Sequence, residues 1–221
     1  MADAPDLGRL YRDTRLRIAD VVRQLTPEQQ ATPVPATPGW TVRDVVAHLL
    51  GVVEDGLAGN FPVGGPNDEW TAAQVARHPD DIQALLEQWE AEAAGMEAFL
   101  TESSFWPGAL DIGCHEQDIR NALGLPRQSN ETIHLAVPLV LGFIRTDAPL
   151  VIRTEHTEVR VGPEDGEPTV LATTEYEAFR WRFGRRSRSQ VAAMDWSGDA
   201  EPFLDSLYIF GPAAADIVEP A

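Results

Sequence analysis

Lysine is missing from this 221-residue chain, and all 17 basic residues are arginine. No amine side chain is therefore available to form a Schiff base or to serve as a general base. Cysteine occurs once, at Cys114. An internal disulfide is excluded, and a lone thiol persists most easily in a reducing cytoplasm, where the protein is expected to reside. No stretch approaches the roughly 20 consecutive apolar residues that a membrane span requires. The first residues, MADAPDLGRLYRD, carry acids and arginines where a secretory signal would have a basic start and an apolar run, so export is not expected. Positive charge is in the minority. The 35 acids outweigh the bases to give a net charge of −18, spread along the chain without an acidic tail, which repels phosphate backbones and anionic membranes. Neither nucleic acid nor a membrane is an expected partner.

What is present is the composition of a globular protein, 43% hydrophobic and 24% charged. Apolar residues recur at helical spacing from Leu7 to Leu25 (Leu7, Leu10, Tyr11, Ile18, Val21, Val22, Leu25), and Thr26-Pro27 stops the pattern. After the proline-rich ATPVPATPGW, Thr41 is a candidate N-cap for a second helix with the stripe Val42, Val45, Val46, Leu49, Leu50, Val53. A third amphipathic segment is expected from Asp80 to Leu100. A fourth runs from Gly108 to Leu123 and is ended by Gly124 and Pro126, and a fifth from Glu131 to Arg145 contains Pro138, which should kink it or mark its edge.

Beyond Asp147 the periodicity alternates. Leu150, Ile152, Val159, Val161, Val170 and Ala172 lie in short runs between Gly, Pro, Asp and Glu, the pattern of a small meander of strands. A helix over 175–183, a strand around 191–194 and a last helix over 201–210 would complete an α+β unit. The expected organisation is a helical domain over 1–147 and a small α+β domain over 148–221.

The segment DIGCHEQDIR, residues 111–120, raises the question of chemistry. Asp111 and His115 stand four residues apart, so on a helix their side chains share one face and can converge on one point. A third donor from another helix would make a three-ligand site that leaves a catalytic zinc an open position. His48, which interrupts the apolar stripe of the second helix, is the candidate. The competing reading is ordinary: a core histidine bonded to a backbone carbonyl, and a surface Asp/His pair. Cys114 is turned about 100° from His115 around the helix and reads as packing, with a reactive thiol as the alternative. Asp118 can support the far nitrogen of His115 or can pair with Arg120. Gly113 within the same helix suggests a close helix approach. His78, His134 and His156 read as surface or packing residues.

Taken together, GWTVRDVVAHLLG (39–51) and DIGCHEQDIRNALG (111–124) resemble the paired helix motifs of the mycothiol-dependent maleylpyruvate isomerase family. FRWRFGRRSRSQV and WSGDAEPFLDSLYIFGP resemble its C-terminal part. The resemblance implies a DinB-like metal-binding four-helix bundle followed by a small α+β domain related to sterol-carrier-like folds. It implies a divalent metal, usually zinc, held by His48, Asp111 and His115, with Asp111 standing where the family usually has Glu. It implies mycothiol as thiol cofactor, an anion-binding arginine best matched by Arg185 with Arg186 as its neighbour, and Trp40 as a pocket-lining residue where a packing role is the alternative. The expected function is metal-dependent activation of a low-molecular-weight thiol for isomerisation of, or S-transfer to, a small electrophile, by a monomer or homodimer. Two alternatives stand beside it: a metal-free ligand-binding or interaction protein on the same fold, and a metal-dependent hydrolase using the same ligands.

Overall fold

The computed structural model describes residues 5–78, 81–128 and 130–220. The chain divides into two compact units, Met1–Arg127 with Pro220–Ala221, and Gln128–Glu219. The division falls before the point where the sequence periodicity changes. The helix Glu131–Gly142, expected in the bundle, packs instead on elements of the second unit.

The first unit is built on four long helices: α1 (Leu7–Val22), α3 (Val42–Ala58), α5 (Ile82–Ser103) and α6 (Trp106–Ala122), with short α2 (Pro27–Gln30) and α4 (Asp68–Ala76) between them. Helix α1 packs on α5 and α6, and α3 packs on the same two. The helices begin where the sequence supplies caps. Asp6 accepts from the Arg9 amide, and Thr41 and Asp44 form a reciprocal capping box at the start of α3. Thr26 does more than stop α1, because it caps α2 with Gln29. Asp80, the expected start of the third segment, lies outside the described residues; α5 itself starts after the cap Asp81. The apolar faces meet in a core that includes Val45, Leu50, Leu85, Trp89, Met96 and Ile112, each at most 1% exposed. Within it the Trp89 indole N–H donates to the Tyr11 hydroxyl at 2.8 Å. Burial pushes the Tyr11 hydroxyl pKa above its ordinary value.

An ion pair joins α6 to α1. Glu116 is 2% exposed and receives Arg17 in a two-pronged ion pair, Nε to Oε1 at 2.6 Å and Nη2 to Oε2 at 2.9 Å. The α6 residues from Ile112 through Ile119 are all buried, an unusually polar run (Gly-Cys-His-Glu-Gln-Asp) for a helix interior. Buried polar groups of this kind are costly unless each finds a partner.

The second unit carries α7 (Glu131–Gly142), β1 (Leu150–Arg153), β2 (Glu158–Val161), β3 (Thr169–Ala172), α8 (Glu175–Arg182), α9 (Arg188–Ala192) and β4 (Asp195–Trp196). Helix α7 runs through Pro138 and ends before Arg145. The four strands form one mixed sheet in the order β2-β1-β3-β4. β1 pairs antiparallel with β2 and parallel with β3, so the strands are not the simple meander expected. The expected strand near 191–194 is the end of α9, whose Ser187/Gln190 capping box starts a helix there, and the strand follows at β4. The expected last helix over 201–210 is only a 3-10 turn, Leu204–Ser206. A buried ion network ties the segment before the terminus to α8. Glu219 receives Arg180 at 2.5 Å, Arg186 at 2.7 Å and the Tyr176 hydroxyl at 2.9 Å. Arg182, buried with the Val140 and Leu207 carbonyls as acceptors, has its pKa pushed down to about 10 by burial.

Among the described residues no helix is long and apolar enough to cross a membrane. The fold is a helical bundle followed by an α+β unit, as expected from the sequence.

Candidate metal centre

Helix α3 presents His48 and helix α6 presents Asp111 and His115 to one point inside the first unit. Donor atoms of the three lie within 4.8 Å of one another, and among the described residues they are the one such group of three. Each Asp111 oxygen faces one imidazole: Oδ2 is 3.7 Å from His48 Nε2, and Oδ1 is 3.6 Å from His115 Nε2. Donors around a tetrahedral zinc stand roughly 3.4 Å apart, as bond lengths of about 2.0–2.2 Å require. The Asp–His spacings are already within a few tenths of an ångström of that. Two imidazoles and a carboxylate also match the donor set of catalytic zinc sites. The residues present fit a divalent metal, and the shorter side chain of Asp111 does not keep it from reaching both histidines.

Burial is graded across the site. His48 and His115 are 4% and 5% exposed, whereas the Asp111 side chain retains about a third of its surface. Trp40 lies against both rings, 5.0 Å from His48 and 6.5 Å from His115 between centroids, and the histidines meet edge to face at 5.1 Å. Trp40 is held in place by the turn before α3, where its carbonyl accepts from the Val34 amide at 2.9 Å.

Each imidazole is backed by a polar group on the side away from Asp111. Asp118, fully buried on α6, places Oδ2 3.0 Å from His115 Nδ1, somewhat off the line of a well-aligned hydrogen bond. Arg120, its other candidate partner, donates to the Pro126 carbonyl. His48 Nδ1 stands 2.8 Å from Gln74 Oε1, a contact to helix α4 that the sequence patterns did not reveal. Cys114 is buried in α6 beside the site residues.

Arg185, half-buried in the second unit, follows Gly184, whose φ is +76° and where a Cβ would stand 2.6 Å from the Gly211 carbonyl oxygen, so that the position requires glycine. Its Nη1 donates to the Phe183 carbonyl at 2.6 Å. Arg186 is committed to Glu177 and Glu219. His78 is buried and lies 3.3 Å from Glu54. Burial lowers its pKa even though Glu54 opposes that. His134 contacts Glu175 at 2.9 Å and stacks edgewise on His156.

Comparison with known proteins bears on this arrangement. The sequence model of the mycothiol maleylpyruvate isomerase N-terminal domain matches residues 11–120, a span that contains all three candidate ligands and Trp40. No curated protein matches the chain by sequence. Among solved structures, one described as a mycothiol-dependent maleylpyruvate isomerase superposes with a TM-score of 0.59 at 14% identity, covering 88% of this chain and 94% of that one. A histidine-to-alanine mutant of such an enzyme superposes with a TM-score of 0.57 at 13% identity and the same coverage. At these identities the likeness is one of fold, and it extends through both units. Residues 11–120 thus belong to the mycothiol maleylpyruvate isomerase N-terminal domain family, and over nearly its whole length the chain shares the fold of the solved isomerase.

Proposed function

We propose that this protein is a metal-dependent enzyme that activates a low-molecular-weight thiol, mycothiol, for isomerisation of a small electrophile or for S-transfer to it. The observation that carries the proposal is the convergence of His48, Asp111 and His115 inside the family-matched domain. His48, Asp111 and His115 would hold zinc or another divalent cation, and that cation would lower the pKa of a thiol brought to it.

The chain's own residues do the rest. The two imidazoles present Nε2 toward the site, His48 with its Nδ1 bonded to Gln74 and His115 with its Nδ1 facing the Asp118 carboxylate, and Asp111 supplies a carboxylate at the accessible side. Trp40 covers both rings and shields them from water, which strengthens the electrostatic interactions it encloses. In the isomerisation branch, the thiol would supply a nucleophile that adds reversibly to an activated double bond and permits rotation about it, so that substrate and product share one composition. Arg185 is proposed to bind an anionic group of the substrate or cofactor, a role that suits a guanidinium fork. The protein is proposed to act in the cytoplasm, where its single thiol and a thiol cofactor both remain reduced.

The test begins with metal. Elemental analysis of the purified protein is expected to find about one zinc per chain, lost in an Asp111→Ala/His115→Ala double variant. The zinc-loaded protein is then assayed with mycothiol and cis-configured electrophiles. No metal after reconstitution with excess zinc would defeat the enzymatic reading in favour of a ligand-binding protein. Turnover that needs metal but no thiol would replace the reading with a hydrolase.

A further inference from the structure

Helix α4 buries only one side chain completely among its residues, and that side chain is a glutamine. Gln74 is 0% exposed, and an amide so placed is costly unless both ends are bonded. Both are. Its Nε2 donates to Asp55 Oδ2 at 2.8 Å, and its Oε1 lies 2.8 Å from His48 Nδ1. Which way the amide faces follows from chemistry. Asp55 also receives Arg77 Nη1 at 2.8 Å on Oδ1, Arg77 Nη2 at 3.0 Å on Oδ2, and Asn60 at 3.0 Å. Burial opposes the charge on Asp55, but Arg77, Gln74 and Asn60 outweigh it and hold its carboxyl below the ordinary value. An ionised carboxylate only accepts, so the Gln74 amide nitrogen must face Asp55 and its oxygen must face His48. An amide oxygen also only accepts, so His48 Nδ1 must carry the proton.

A second observation shows that the chain makes room for this contact. Position 51, one turn after His48, is glycine, and a Cβ there would stand 2.5 Å from Gln74 Cβ and 2.9 Å from its Cγ. The missing side chain lets α4 come close enough for Gln74 to reach the ring.

We propose that Gln74 is a positioning residue that holds His48 in the Nδ1–H tautomer with its Nε2 lone pair directed at Asp111, and that the Asp55–Arg77 ion pair fixes the direction of the Gln74 amide. The proposal rests on the metal-site reading above. It makes Gln74, Asp55 and Arg77 part of the site's design although none of them contacts the metal position. A hydrogen bond to the far nitrogen of a liganding histidine orients the ring and raises its basicity, and loss of such a partner lowers metal affinity by about 10–100-fold.

The experiment uses the full-length protein and two readouts. In the metal-free protein, long-range nitrogen–proton spectra of ¹⁵N-labelled histidines report which ring nitrogen carries the proton, with the His48 signals assigned by their loss in His48→Gln. Zinc affinity is measured by competition with a chromophoric chelator. The wild type is expected to show a protonated Nδ1. Gln74→Leu is expected to move the proton to Nε2, at least in part, and to weaken zinc binding by about 10–100-fold. If either the tautomer or the affinity (within about twofold) stays as in wild type, the proposal is overturned. Asp55→Asn keeps Gln74 but lets its amide turn over, and it serves where Gln74→Leu fails to fold; a mixture of tautomers is expected, and a pure Nδ1–H form would overturn the proposal. If the wild type binds no zinc, the enzymatic reading falls. The metal-free spectra still judge the role of Gln74 on their own.

Discussion

Replacing Gly51 with alanine adds one methyl group a turn along helix α3 from His48, without touching any donor atom, yet it should disturb the site. The new Cβ would meet Gln74 Cβ at 2.5 Å, where carbon atoms in contact settle at about 3.5–4.0 Å. Gln74 must therefore retreat by at least roughly 1 Å, which would stretch its 2.8 Å contact with His48 beyond the limit of a useful hydrogen bond. Overpacking in a well-packed region costs about 1–3 kcal/mol. The low end is expected here, because α4 buries only Gln74 and can shift without opening the core of α1, α3, α5 and α6. The assay pairs a thermal melt with the zinc competition titration. A drop of a few degrees in Tm together with a weakening of zinc binding of about tenfold or more is expected. Unchanged affinity in a folded Gly51→Ala protein would refute the reasoning, since the steric push would then not reach His48. A loss of stability well above 4 kcal/mol would refute it as well, by showing that α4 is not free to give way.

Two further outcomes test other parts of the structure. Asp111→Glu lengthens an acid that already lies 3.6 and 3.7 Å from the two histidines, so zinc affinity should stay within about tenfold of wild type or fall; a rise of more than tenfold would show that Asp111 is too short for the site. In the second unit, burial raises the Glu219 carboxyl, but Arg180 and Arg186 outweigh it and hold the group below its ordinary value. The unfolded chain then binds more protons than the folded one in this range. The stability this ion network contributes is complete above the ordinary glutamate value of about 4.3 and is lost as pH falls through the lower folded value. Glu219→Gln should flatten that part of the acid dependence in urea denaturation and cost about 3–5 kcal/mol at neutral pH by removing the carboxylate that buried Arg180 and Arg186 share. An unaltered acid slope in the variant would assign the effect to another group.

The long helices were legible because their apolar residues repeat at helical spacing over four or more turns and their caps are spelled out, as at Thr41 and Asp44. The candidate ligands were legible for a related reason. Asp111 and His115 lie on one helical face by spacing, and His48 breaks a pattern that was otherwise apolar. Helix α4 was not legible, because a helix with a single buried residue has no stripe to find. Nor was the grouping of α7, whose apolar composition shows that it is buried but not which sheet or bundle buries it. At Val191 the apolar run suggested a strand, but the Ser187-x-x-Gln190 box just ahead of it specifies a helix start; local capping chemistry was the better guide there. Over 201–210 the apolar positions are real, with Phe203, Leu204, Leu207 and Tyr208 buried, but they are buried from a turn and from irregular chain.

The two histidines of the site differ in how their orientation is encoded. For His115 the supporting group is Asp118, three residues along the same helix, so the sequence alone places it. For His48 the support comes from a short helix distant in sequence. It depends on three things at once: a glycine that admits the approach, a glutamine with one acceptor and one donor end, and an ion pair that decides which end faces the ring. Each of these looks ordinary by itself in the sequence. An ion pair behind an amide behind an imidazole transmits direction because each member has limited choices: arginine only donates, an ionised carboxylate only accepts, and the amide must then turn its oxygen away. A hydrophobic residue at position 74 would bury α4 at lower desolvation cost. The presence of glutamine there, with every polar atom used, is better explained by the requirement it meets at His48 than by the stability of the helix that carries it.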